Sequence, residues 1–137
     1  MPYATLYLAG SRNSAGKIQE LHAKTADILV DTLAATRAIV AVRIVEDNPE
    51  NWSVAGVPLN DSAQERNGVL ATVSVAEESV NEEQIAAAIA ALSGMLKESL
   101  GANALPAYVV FDLVKEHAWG FRGKTIRQIK QSSRDRA

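Results

Sequence analysis

Apolar positions along this 137-residue chain switch between two periods, and the switches mark its elements. Tyr3 to Leu8 alternates, with Ala4, Leu6 and Leu8 on one side, and predicts a strand. From Ala15 to about Leu33 the positions Ile18, Leu21, Thr25, Ile28, Leu29 and Leu33 follow helical spacing, and Ser14 is placed to cap that helix. Ile39 to Val45 is apolar on both sides apart from Arg43, which predicts a strand buried on both faces. The same order then recurs. Val69 to Val75 reads as a strand, Asn81 as the cap of a helix from Glu82 to about Leu100, and Ala107 to Val114 as a fourth strand. Glu82 and Glu83 stand in that helix's first turn, where its dipole favours acids, and Gly101 is a natural stop.

Shifted by 67 positions, the chain overlays itself without a gap. Ala4-Thr5 falls on Ala71-Thr72, Leu6 on Val73, Leu8 on Val75, Ile18 on Ile85, Leu29 on Leu96 and Leu33 on Leu100. The two tryptophans of the chain, Trp52 and Trp119, coincide, as do Gly56 and Gly123. This register indicates a duplicated unit of about 60 residues. We therefore expect one domain over 1–137: a first β-α-β repeat at 2–57, a polar linker at 58–68, a second repeat at 69–123 and a C-terminal tail, or short helix, at 124–137. A strand–helix–strand crossover makes its two strands parallel neighbours. Two such units predict an α+β fold with a four-stranded sheet and both helices on one face. The other face, expected to be apolar, would need covering, which predicts an oligomer.

Charge and composition narrow the function. A net charge of −2 gives no electrostatic support for a nucleic-acid partner. There are no cysteines, and His22 and His117 form no ligand motif, so no metal is expected. No apolar run approaches the ~18 residues of a membrane span, and no basic-then-apolar leader is visible, so a cytoplasmic protein without a membrane partner is expected.

The two copies differ where chemistry would sit. Pro2 matches Val69, Arg12 matches Ser79 and Arg43 matches Val110, so the framework recurs but the candidate chemistry does not. Removing Met1 would leave Pro2 as a free secondary amine, a base if its surroundings lower its pKa. Arg43 interrupts an apolar strand, where an unpaired guanidinium is costly. The basic residues Lys124, Arg127, Lys130, Arg134 and Arg136 read as a solvated or salt-bridged face.

Pro2 through Arg12, Val42-Arg43-Ile44 with Glu46, and Trp52-Ser53-Val54-Ala55-Gly56 make the chain resemble 4-oxalocrotonate tautomerase and the wider tautomerase superfamily. The second half keeps the framework and Trp119 through Gly123, so the whole is similar to a fused, two-copy tautomerase. The resemblance implies a macrophage migration inhibitory factor-like fold that assembles as a homotrimer. It implies a cofactor-independent tautomerase acting on small 2-oxo carboxylates. Pro2 would be the general base, Arg12 and Arg43 the carboxylate-binding groups, and Trp52 a pocket wall. Arg122, His117 and Trp119, from the second copy, form a further set of candidates. The segment ends Val54-Ala55-Gly56 where the family often shows a glycine pair, so this turn departs from the pattern. Two other readings stay open on the residues alone: a non-catalytic trimeric scaffold of the same fold, and a decarboxylase or hydratase using the same groups.

Overall fold

Alternation in the first strand divides the molecule into a covered side and an open one. The computed structural model describes residues 1–10, 13–61, 66–101 and 104–135. Its first unit runs β1 (Tyr3–Ala9), α1 (Ala15–Leu33) and β2 (Ala41–Asp47), then a hairpin of β3 (Ser53–Val54) and β4 (Val57–Pro58). The second runs β5 (Asn67–Ala76), α2 (Glu82–Leu100) and β6 (Ala104–Val114), then a hairpin of β7 (Gly120–Phe121) and β8 (Lys124–Thr125), followed by α3 (Ile126–Asp135). Adding 67 to the bounds of α1, β3 and β4 gives those of α2, β7 and β8.

Both long helices start on side-chain caps. Ser14 Oγ accepts from the Lys17 amide at 3.1 Å. Asn81 and Gln84 cap α2 reciprocally, at 2.8 and 2.9 Å. Left-handed Ala34 ends α1, and Gly101, with a φ of 87°, ends α2.

The sheet order is β2-β1-β5-β6. Each crossover gives a parallel pair, β1 with β2 and β5 with β6, and the two units join antiparallel through β1 and β5. Ala4, Leu6 and Leu8 of β1 and Val69, Ala71 and Val73 of β5 meet Leu21 and Leu29 of α1 and Leu92 and Leu96 of α2 in one core. Each large side chain fully buried there is worth about 1.5–3 kcal/mol. This is the anticipated four-stranded sheet with two helices on one face.

The opposite face corrects an expectation. It is not apolar throughout: Thr5, Thr72 and Ser74 occupy its central rows, with Arg43 and Asp112 beside them, while Tyr108 and Val110 are exposed. Threonine is a good strand former, so a strand signal survives on a face that is only partly hydrophobic. Nor is β2 buried on both sides in the single chain. It is an edge strand, with Ala41 and Arg43 exposed.

Residues 58–68 are not wholly a connection. Pro58 pairs in β4, Leu59 is 3% exposed, and Asn67 and Gly68 already belong to β5. Beyond Gly123 the chain pairs in β8 and enters α3, which Thr125 and Gln128 cap reciprocally at 3.1 and 2.9 Å. Among the described residues no helix is long and apolar enough to cross a membrane.

Candidate active site

Because β1 and β5 run antiparallel, the hairpin that ends the second unit returns to the start of the first. Trp119 and Phe121 from that hairpin, Ile39 from the approach to β2, Ala41 at its start, and Met1, Pro2 and Tyr3 line a cavity of about 280 Å³. That is near the lower end of small-molecule sites, which begin at roughly 300 Å³. Pro2 is buried, and its carbonyl oxygen accepts from the Ala41 amide at 3.3 Å, which fixes the start of β1 against β2.

The hairpin is shaped by two positive-φ residues, Arg122 at 52° and Gly123 at 82°. Its counterpart in the first unit has Ala55 at 55° and Gly56 at 78°. Two consecutive left-handed residues make the turn that best matches strand twist, so the departure at Ala55 leaves the turn type intact. The base of each hairpin is tied alike: the Leu59 amide donates to Trp52 O and the Ile126 amide to Trp119 O, both at 2.9 Å. The left-handed turn sets the Arg122 guanidinium over the Phe121 ring, 5.1 Å from its centroid.

Two titrating groups of the cavity are perturbed. Burial, and secondarily the nearby Lys130 ammonium, push the N-terminal amine below its ordinary value of 8.0, because both disfavour the charged form. Hydrogen bonds from Thr5 and then Arg43 pull the Tyr3 hydroxyl below its usual value. Among the described residues no cluster of three or more His, Cys, Asp or Glu could hold a metal ion.

The predicted site residues are only partly brought together. Pro2 and Trp119 line the cavity. Arg43 lies on the open sheet face and meets the cavity through Tyr3, which lines it. Arg122 does not line it but stacks on Phe121, which does. His117 is exposed in the 3-10 turn Glu116–Ala118 and stands outside the lining. Arg12 lies outside the described residues. Trp52 is elsewhere in the chain: its ring packs on Gly68, which pairs with Ala9 at the far end of β1. With a rise of about 3.3 Å per residue, that is roughly 20 Å from Pro2. Its indole Nε1 donates to Asp47 Oδ2 at 3.0 Å.

Tyr3, Ile39, Ala41 and Phe121 were not among the candidates. One of them, Phe121, lies within the Trp119–Gly123 segment on which the resemblance rests. Once the units join antiparallel, the aromatic hairpin of one copy belongs to the strand start of the other.

Neither a family model nor a curated protein matches the sequence. Solved structures do match, and they define the class first: the chain has the tautomerase fold in its fused, two-copy form. A crystal structure of Pt0534 inactivated by 2-oxo-3-pentynoate is 25% identical with a TM-score of 0.81, over 93% of this chain and 98% of that one. A native fused 4-OT is 23% identical with a TM-score of 0.80, over 93% and 98%. An F6 fused 4-OT, described as an asymmetric trimer, is 20% identical with a TM-score of 0.77, over 91% and 98%. The fold supports a tautomerase-type or related activity.

Proposed function

We propose that the chain, once Met1 is removed, is a cofactor-independent tautomerase of small 2-oxo carboxylates with Pro2 as its general base. The observation that carries this reading is a buried proline at residue 2, on the wall of a cavity lined by aromatic side chains, within the fused-tautomerase fold. A proline amine accepts a proton only when neutral, and a pKa near the working pH suits the task. With Met1 in place, burial and then Lys130 disfavour the charged form of the Met1 amine, which adjoins Pro2.

In the reaction, the amine removes the enol O–H proton of a 2-hydroxydienoate or arylpyruvate enol. The electron pair re-forms the carbonyl, and the proton is returned to carbon. The atoms balance as an isomerisation. Arg43, held at the Tyr3 hydroxyl, binds the substrate carboxylate together with Arg12 and stabilises charge on the carbonyl oxygen. Trp119 supplies the aromatic wall that the resemblance gives to Trp52. The assembly is a homotrimer that covers the open face carrying Tyr108 and Val110; a structurally similar fused 4-OT is a trimer.

The test combines intact mass with an enol–keto assay on phenylenolpyruvate for wild type and Pro2→Ala. Loss of Met1 and a drop of about 100-fold or more in the variant are expected, the scale of a general base. Because a similar protein is inactivated by 2-oxo-3-pentynoate, the same acetylenic acid should add once, at the Pro2 nitrogen. A retained Met1, or a Pro2→Ala variant with undiminished turnover, overturns the reading in favour of the scaffold.

A further inference from the structure

Tyr3 both lines the Pro2 cavity and stands on the open sheet face that carries Arg43. Strand alternation sets this: Ala4 and Leu6 turn into the core, so Tyr3 and Thr5 turn to the other face, where Tyr3 is 39% exposed. In register, Ala41 of β2 stands opposite Tyr3, and Arg43 opposite Thr5. The Ala41 side chain ends at its Cβ, which leaves the β2 flank of the Tyr3 ring open, and both residues border the cavity. On the β5 flank Ser74 stands opposite Tyr3 and donates its hydroxyl to Asp112 Oδ2 at 3.4 Å. Among the described residues that line the cavity, the Tyr3 hydroxyl and the Trp119 indole are the only side-chain N–H or O–H donors, and no side chain is charged. Of these two donors, Tyr3 is the one with a guanidinium beside it in the sheet.

We propose that Tyr3 is a specificity-determining residue of the Pro2 site: its hydroxyl donates to the carboxylate of a bound acid, and its ring, with Trp119 and Phe121, encloses an apolar or aromatic tail. This rests on reading the cavity as the substrate site, but its effect is measurable without turnover. A phenol oxygen has two acceptor sites and one hydrogen. Thr5 and Arg43 both donate to the Tyr3 oxygen, so its own hydrogen is left to point at another acceptor. A carboxylate that accepts it also lies beside the Arg43 guanidinium, and a hydrogen bond to an ionised acceptor is the strong kind. The remaining wall of Ile39, Phe121 and the Trp119 ring is apolar, and a second carboxylate pressed against it would be left unpaired. The site therefore takes acids with one carboxylate and an apolar tail, the arylpyruvate class, in preference to dicarboxylates.

The experiment titrates three compounds that cannot tautomerise, followed by ligand-observed NMR: 3-phenylpropionate, its neutral counterpart 3-phenylpropan-1-ol, and the dicarboxylate adipate. Wild type should bind phenylpropionate more tightly than adipate. Tyr3→Phe keeps the ring and loses the hydroxyl at a part-exposed position, so the fold is retained. Its affinity for phenylpropionate should fall about tenfold, the scale of one hydrogen bond to a charged group, while that for the alcohol changes by less than about twofold. Tyr3→Leu also removes the ring and should weaken both compounds. Trp119→Phe removes the other donor and should leave the preference for the acid over the alcohol in place. With phenylenolpyruvate as substrate, Tyr3→Phe should raise KM and leave kcat nearly unchanged, because the carboxylate is held alike in ground and transition states. No binding of phenylpropionate, tighter binding of adipate, or equal changes for acid and alcohol in Tyr3→Phe overturns the proposal. A protein that binds phenylpropionate through Tyr3 yet is inert with phenylenolpyruvate sinks only the tautomerase reading; an active enzyme whose affinity for the acid ignores Tyr3→Phe sinks only this one.

Discussion

At the start of β5, the Trp52 ring occupies the place that a Cβ on Gly68 would take. At the start of β1, the equivalent Trp119 stands with Met1 and Pro2 around a cavity. The two corners occupy equivalent positions in the two β-α-β units, and their backbones agree down to the left-handed residues of the hairpins. Two of the positions at which they differ bear on this contrast. Asp47 accepts the indole N–H of Trp52, and Gly68 lets the ring come close. At the other corner Val114 takes the place of Asp47, offering no side-chain acceptor, and Met1 takes that of Gly68. One corner therefore serves as packing and the other keeps room for a ligand.

The largest test of this contrast is truncation of the two tryptophans. Trp52→Ala should cost about 3 kcal/mol in denaturant unfolding, since it empties a filled corner and leaves Asp47 without its donor. Trp119→Ala should cost about half as much, because space is already present beside its ring, yet lower kcat/KM roughly tenfold, the scale of an apolar pocket contact. Equal stability losses would erase the distinction between the corners.

A subtler change probes the filled corner alone. Gly68→Ala forces a methyl into the Trp52 ring and should cost about 1–3 kcal/mol, measured as a shift in the urea midpoint at unchanged slope. Turnover at the distant Pro2 corner should stay at the wild-type value.

The smallest effect separates the hairpins. Ala55→Gly and Arg122→Gly both relieve a left-handed residue, worth about 1 kcal/mol before the entropy cost of glycine offsets part of it. Only the second loses a guanidinium over an aromatic ring, worth about 0.5–1 kcal/mol at an exposed site. Paired thermal melts should therefore place Ala55→Gly above Arg122→Gly.

Much of the framework was legible locally. Helices α1 and α2 announce themselves because Ser14 and Asn81 sit directly before long apolar stripes, where a cap and a burial pattern agree. Helix α3 was harder to read: its cap, Thr125 with Gln128, is present, but only Ile126 and Ile129 give it an apolar face. The candidate site was legible at Pro2 and, through the repeat, at Trp119. Arg43 reads as a lone interruption, and its link to the cavity through Tyr3 depends on two strands meeting in register.

The sequence by itself determined the two β-α-β units, their parallel strand pairs and the turn residues of the hairpins, because periodicity, capping and backbone sterics act over a few neighbouring residues. Only the tertiary structure decided that β1 and β5 join antiparallel. That one choice brings the second unit's Trp119 and Phe121, rather than the first unit's Trp52, to Pro2. It depends on how two already formed units pack their shared core, which no local pattern encodes.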